Sequence, residues 1–452
     1  MYFRPNHITK RQLMRLPFLI MSFFAGLHSV FGQSITDFSK LYLDDLYNKS
    51  SEIRQYKIGD NDFNDLESIG RSIGEADIVL LGEPSHGDGG AIQMKTRLVK
   101  YLHEHKGFDV LLFEADLFAI MYGLSGLEDP QEIKRFAKES IYTCWSESDV
   151  SKELWLYYSS QLKGPNPIRL GGFDVRHAGR YSKDRLVKYL DSHLISIDFN
   201  TTTDSYLRFK KDLSYFLKEE FRSRKDSVDP KNFNLEVDRI EEAVRYSRLD
   251  TKERNLCMIE INNIRNLFSY LIDGKSRDAI MAQNFILLSR YIFPGQKILV
   301  WSHNNHNVLD VNTYASYSKE FAENWYMNDT YRGFTYFGTD IFREFGDRVY
   351  SLAITSGSGN YSPAFFGKDY FHADFTKVAK IPASGKESLE KYLQNKKSGN
   401  RFIPLPDAQG RPSGLPWFSG RLLDLTFEAK MDYTSSFNGI IYLERTVDLN
   451  GN

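Results

Sequence analysis

Cysteine is nearly missing from the chain, with two residues, Cys144 and Cys257, among 452. So few exclude a disulfide scaffold, and 31 Gly with 14 Pro in no regular period exclude a collagen-like chain. An excess of one charge is lacking too. Lys+Arg 58 against Asp+Glu 59 removes the electrostatic footprint of a nucleic-acid binder, and no nucleic-acid partner is expected. Beyond residue 32 no apolar run approaches the ~20 residues that a membrane span needs. Neither an internal repeat nor a low-complexity tract stands out. What is present is a chain 41% hydrophobic and 26% charged, enough to build a real core. A globular α/β protein is expected, with room for two or three domains.

Residues 1–32 read as a secretory leader. Arg4, Lys10, Arg11 and Arg15 precede the apolar run from Leu16 to Gly32, a small residue precedes Gln33, and no acid occurs before Asp37. The alternative is an uncleaved anchor, but the run contains His28 and Ser29 and is short for a span. Export to the periplasm or the exterior is therefore expected, with no stable membrane span once the leader is gone. In an oxidising compartment Cys144 and Cys257 have two readings, a disulfide closing a long loop or two buried thiols.

Seven short apolar runs read as buried strands: Asp77–Gly82, Asp109–Glu114, Ile168–Asp174, Lys297–His303, Phe334–Asp340, Val349–Thr355 and Gly439–Glu444. Helical periodicity separates the early ones, as in Ile92, Leu98, Val99 and Leu102 before the stop at Lys106-Gly107. Strand, helix, strand in that order implies right-handed crossovers. The fold class expected is α/β, a mainly parallel central sheet flanked by helices. Thr202–Asp273 reads as a helical insertion, a candidate lid, so 33–201 and 274–452 would be the two parts of the α/β body. A long loop is expected near 382–416, where Lys, Gly and Pro are frequent.

The chemistry-bearing residues follow the strands directly. They are Glu83-Pro84-Ser85-His86-Gly87, then Glu114-Ala115-Asp116, Asp174-Val175-Arg176-His177, and Ser302-His303-Asn304-Asn305-His306. In a parallel sheet these ends share one edge, where open α/β folds place their ligands. Taken singly, each has a plain structural use, as a helix cap or a satisfied core polar group. Convergence of four such endings is the stronger observation. His103 and His105 read as surface residues, and His177 as standing behind Asp174. Ser85 lacks the G-x-S-x-G setting of a nucleophile, and H-E-x-x-H, P-loop and dinucleotide fingerprints are missing. Glutamates and histidines without a nucleophile suit water activation, with His as base near neutral pH.

The run Gly82-Glu83-Pro84-Ser85-His86-Gly87, with Lys95, Gly107-Phe108 and Phe113-Glu114-Ala115-Asp116, resembles the erythromycin esterase family. So do Gly172-Phe173-Asp174, Arg277-Asp278 with Met281-Ala282 and Asn284, His303-Asn304-Asn305-His306-Asn307-Val308 and the closing stretch Asn438–Tyr442. The resemblance implies a hydrolase of a small-molecule ester or lactone, a macrolide lactone in the namesake members. It implies that His86 draws a proton from water, that Glu83 and Glu114 orient that water or His86, and that His303 and His306 complete the pocket. Lys95 would neutralise the glutamates or an oxyanion, Asp174 would support the site, and Arg277 with Asp278 would form an ion pair on their helix. Two places depart from the family pattern, Gly90-Ala91 and Tyr157, and both are expected to shape the substrate wall.

No cofactor is favoured. Glu83, His86, Glu114, His303 and His306 would also serve as ligands of a divalent metal. That second reading is a metal-dependent hydrolase of amide or peptide bonds; a third is a non-catalytic envelope ligand-binding protein. Oligomeric state is not legible.

Overall fold

The computed structural model describes residues 40–57, 62–124, 126–218, 228–310, 335–363, 372–406 and 418–452. The leader lies outside them. Residues 40–49 form a helix in a compact unit of their own, and Ser50–Asn452 form a second.

In the larger unit an eight-stranded sheet is built from β1 (Ser51–Glu52), β2 (Ile78–Leu81), β3 (Val110–Asp116), β4 (Arg169–Asp174), β5 (Ile298–Trp301), β6 (Val349–Ser356), β7 (Arg401–Pro404) and β8 (Gly439–Leu443). Their spatial order is β1-β7-β8-β6-β2-β5-β3-β4. From β8 to β4 all neighbours run parallel, and β7 is antiparallel to both β8 and β1. The central strands are apolar throughout because both faces are covered. Val79 and Leu81, Leu111 and Phe113, and Leu299 and Trp301 enter one apolar cluster; Ile78 and Leu80, Val110 and Leu112, and Ile298 and Val300 enter the other.

Helices supply the covers. On the first face lies α1 (Gly89–Lys106), capped at its start by Asp88, which accepts from the Ala91 N–H, and ended by left-handed Gly107. With it pack α2 (Pro130–Ser140) and α3 (Lys152–Gln161). A largely helical stretch follows: α4 (Arg180–Ser196), α5 (Asp204–Leu217), α6 (Pro230–Arg245) and α7 (Thr251–Ile272). Residues of all four share an apolar cluster that also takes in Phe118 and Val175 from the ends of the sheet. The second face is covered by α8 (Arg277–Tyr291) and α9 (Phe337–Phe345). Among the described residues no helix is long and apolar enough to cross a membrane.

Three expectations are corrected. Phe334–Asp340 is not a strand: Phe337–Phe345 is helical, burying Phe337 and Ile341 four apart on one face, and residue 334 lies outside the described residues. The long loop near 382–416 contains a helix, α10 (Leu389–Lys396), and strand β7, while 407–416 lie outside the described residues. β7 forms because Phe402 and Ile403 are both buried when it pairs with β8. His103 is buried, its Nδ1 2.6 Å from the Tyr157 hydroxyl and its Nε2 2.9 Å from the Asn166 carbonyl. Cys144 and Cys257 are both free and buried, so of the two readings the structure has the unpaired thiols.

Candidate active site

Strand order explains how the site assembles. β5 lies between β2 and β3, so the turn after β5 falls between the turn after β2 and the end of β3. Three main-chain N–H groups knit these ends: Ser302 donates to the Leu81 carbonyl, Asn304 to the Glu83 carbonyl at 2.9 Å, and His303 to the side-chain Oε2 of Glu114 at 3.1 Å. Two glycines make the approach sterically allowed. A Cβ on Gly82 would collide with the Asn304 side chain, and one on Gly172 with the carbonyls of Ala115 and Asp116, where β3 shifts register.

Glu83 is fully buried and multiply bonded. Its Oε1 accepts from His86 Nδ1 at 2.8 Å and from Trp145 Nε1 at 3.1 Å, and its Oε2 pairs with Lys95. Lys95 also donates to the Ser302 carbonyl at 3.2 Å and lies 4.2 Å from the Trp301 ring centroid. Burial pushes its ammonium down from the ordinary value, opposed by the charges of Glu83 and Glu114. Because Nδ1 of His86 is held by a carboxylate, its lone pair is on Nε2. The His86 ring is packed edge-on against Trp145 at 4.9 Å and against His303 at 5.2 Å between centroids.

A second network surrounds Glu114. Burial alone would raise this carboxyl, but the charges of His306 and Arg277 hold it well below the usual range. Arg277 donates to Glu114 Oε1 at 2.8 Å and clasps Asp174 through Nε at 3.0 Å and Nη2 at 2.6 Å. His306 lies between two acids, Nδ1 2.7 Å from Asp278 and Nε2 3.2 Å from Glu114. Burial works against its charge, yet these two carboxylates raise it to about 10. His306 is thus an imidazolium at neutral pH, and the 3.3 Å approach of Arg277 Nη1 to its Nε2 is a contact between cations, not a bond.

His303 is the opposite case. Burial, together with the nearby His86 and His306, pushes it well below the ordinary histidine value. Its Nδ1 accepts from the Asn305 N–H at 3.1 Å, capping the short turn Asn304–Asn307. A ring N–H is given to the backbone of Pro84, which offers only a carbonyl. Both ring nitrogens are therefore engaged.

The structure thus brings Glu83, His86, Glu114, His303 and His306 together at one edge of the sheet, with Lys95, Asp174, Arg277 and Asp278 bonded into the same networks. Arg277 and Asp278 do not pair with each other as expected. Arg277 reaches β3 and β4, while Asp278 holds His306 and the Phe337 N–H. His177 lies within the field of Asp174, but its bond is made elsewhere, Nε2 standing 2.8 Å from Glu260 on α7. Gly90-Ala91 and Tyr157 do not form a substrate wall. The former are buried at the start of α1, where the Gly90 N–H meets Thr446 Oγ1, and Tyr157 holds His103 at the far end of that helix. Sequence reasoning missed Trp145, Tyr142 and Asn304. Asn304 ties the turn to the Ile354 carbonyl at 2.8 Å and the Leu422 carbonyl at 2.5 Å; its place inside the His303–His306 motif was the one available signal. Among the described residues no group of three or more His, Cys, Asp or Glu is arranged to hold a metal ion.

A mostly parallel sheet flanked by helices, with acids and imidazoles gathered at its strand ends, defines an α/β protein, and comparison with known proteins adds to this. The erythromycin esterase family model matches residues 103–446, and the chain belongs to that family. It is 30% identical over 274 residues to YbfO of Bacillus subtilis (strain 168), which carries a hydrolase name; the match covers 54% of this chain and 58% of that relative's length. In fold it resembles a succinoglycan biosynthesis protein, with a TM-score of 0.67 and 16% identity over 91% of this chain and 98% of that one. It also resembles the erythromycin esterase EreC, solved as a histidine-to-asparagine mutant in an open conformation. There the TM-score is 0.56, again at 16% identity, over 85% of this chain and 94% of that one.

Proposed function

We propose that the chain is an exported hydrolase that activates water at a His/Glu site to cleave a carboxylic ester or lactone. The observation that carries this reading is the 2.8 Å bond from His86 Nδ1 to a carboxylate that is itself anchored by Lys95 and Trp145. Glu83 fixes the tautomer and stabilises the imidazolium as it forms. Nε2 takes a proton from water, whose oxygen bonds to the carbonyl carbon. The C–O bond to the leaving group then breaks, and the proton passes from Nε2 to the departing alkoxide. One water is consumed, and an acid and an alcohol are released. Positive charge on His306 and Arg277 favours the developing oxyanion. His303 in this scheme is a positioning residue, spacing His86 from the Glu114 network.

The donor set does not suit a resident divalent metal. Lys95 and Arg277 already compensate Glu83 and Glu114, and a metal would have to displace the proton that Asp278 and Glu114 favour on His306. Export rests on the leader pattern and is tested by the N-terminal sequence of the secreted protein, expected near Gln33.

His86→Ala is expected to abolish hydrolysis across a panel of aryl esters, macrolides and peptides, with the circular dichroism spectrum unchanged. Exhaustive chelation is expected to leave wild-type esterase activity intact. Normal turnover by the variant, or activity lost to chelator and restored by metal, would overturn the scheme.

A further inference from the structure

Arg176, two residues beyond the end of β4, has no role in the network above, although it stands beside it. Its main-chain N–H donates to Asp174 Oδ1 at 3.2 Å, which fixes the turn. Its guanidinium is bonded to one neutral partner: Nη2 donates to the Tyr270 hydroxyl at 2.9 Å, and the group lies 5.7 Å from the Tyr270 ring centroid, within the field of Arg277 and Asp174. Among the described residues no carboxylate pairs with it. The nearest candidate, Asp174, has both oxygens committed to Arg277. Arg176 is only partly buried.

Tyr142 belongs to the same charged neighbourhood and also faces His86. That ring lies parallel to the His86 ring, 6.5 Å between centroids and 11° between planes. The charges of Asp174, Arg277 and Arg176 all act on its hydroxyl, which burial keeps protonated. What geometry fixes is that Arg176 follows Asp174 on the same turn, and that Asp174 is clasped by the Arg277 that also bonds Glu114. A guanidinium oriented by tyrosine, with its planar donor edge not spent on a protein acid, is the arrangement that recognises an oxyanion.

We propose that Arg176 forms an anion-binding subsite at the β4 end of the site, next to the Asp174–Arg277 pair, so that the substrate is an ester or lactone bearing an oxyanion group several bonds from the cleaved carbonyl. This rests on the hydrolase reading and narrows its substrate class. A neutral or cationic ester would leave the guanidinium uncompensated in the complex.

The test compares para-nitrophenyl hexanoate with mono-para-nitrophenyl adipate, equal in chain length and differing in a terminal carboxylate; a terminal sulfonate analogue shows whether planar or tetrahedral anions are preferred. Wild type is expected to favour the anionic esters in kcat/KM by about tenfold or more, the worth of one charge-assisted hydrogen bond. Arg176→Gln should bring that ratio to about one through KM, Arg176→Glu should invert it, and Arg176→Lys, which keeps the charge and guards against a folding artefact, should retain part of it. Equal use of the esters by wild type, or a ratio unchanged in Arg176→Gln and Arg176→Glu, would overturn the subsite. If wild type cleaves none of them, the hydrolase reading falls instead. The subsite is then judged by calorimetry with adipate: about tenfold weaker binding in Arg176→Gln sustains it, and equal or undetectable binding in both proteins overturns it.

Discussion

Each of the two histidines after β5 has its charge set by what faces it. His306, between Asp278 and Glu114, is raised to about 10, while His303, next to other imidazoles, is pushed down. A folded-state value above the ordinary 6.5 means that His306 contributes stability that is complete below pH 6.5 and lost as pH rises through about 10. Urea unfolding from pH 6 to 10.5 should therefore show wild type losing ground to His306→Gln by on the order of a few kcal/mol. Parallel curves would show that the ring is not charged. Trp145 gives a second residue-level expectation. Its N–H is one of three donors on Glu83, and Trp145→Phe keeps ring packing while removing that bond. Hydrolysis should fall by about tenfold with little change in KM, as expected for losing one buried hydrogen bond that steadies the base; an unchanged kcat would mean that Lys95 and His86 suffice to fix Glu83.

At the scale of elements, a polar seam fastens the helical stretch to the sheet. Asn284 on α8 donates to the Phe173 carbonyl at 3.1 Å and to Asn263 on α7 at 2.8 Å, and Glu260 one turn earlier on α7 meets His177. Both members of that last pair are buried. Glu260→Ala should cost about 3–5 kcal/mol in urea unfolding, since it strands an imidazole away from water; the double variant with His177→Ala should cost less than the sum of the singles.

The central strands were legible because apolar runs ended abruptly in acids and imidazoles, and the convergence of Glu83, His86, Glu114, His303 and His306 followed from parallel pairing. β7 was not, since it is four residues long, antiparallel and near an edge, in a stretch rich in Lys, Gly and Pro. Phe337–Phe345 was misread because a short aromatic cluster fits either periodicity. His103 was recoverable: Val99, four residues earlier, marks the same buried face of α1. Trp145 and Tyr142 were not, because nothing local announces a contact with a residue some sixty positions away.

For the whole molecule, the two thiols sit in different apolar clusters, Cys144 beside the sheet and Cys257 among the helices. The melting temperature should be the same with and without reductant, and a drop on reduction would reveal a bridge. The sheet carries a further consequence in its strand order. β2, which delivers Glu83, pairs on both sides with strands more than 200 residues downstream, β5 and β6. A nascent chain has no partner for its first central strand until most of its length has been made, and this long-range closure makes for slow folding. The site is therefore completed late: a ribosome-bound or truncated chain ending before residue 298 carries Glu83, His86 and Glu114 but lacks both strands that flank β2, together with His306 and the His303 turn that bond Glu114.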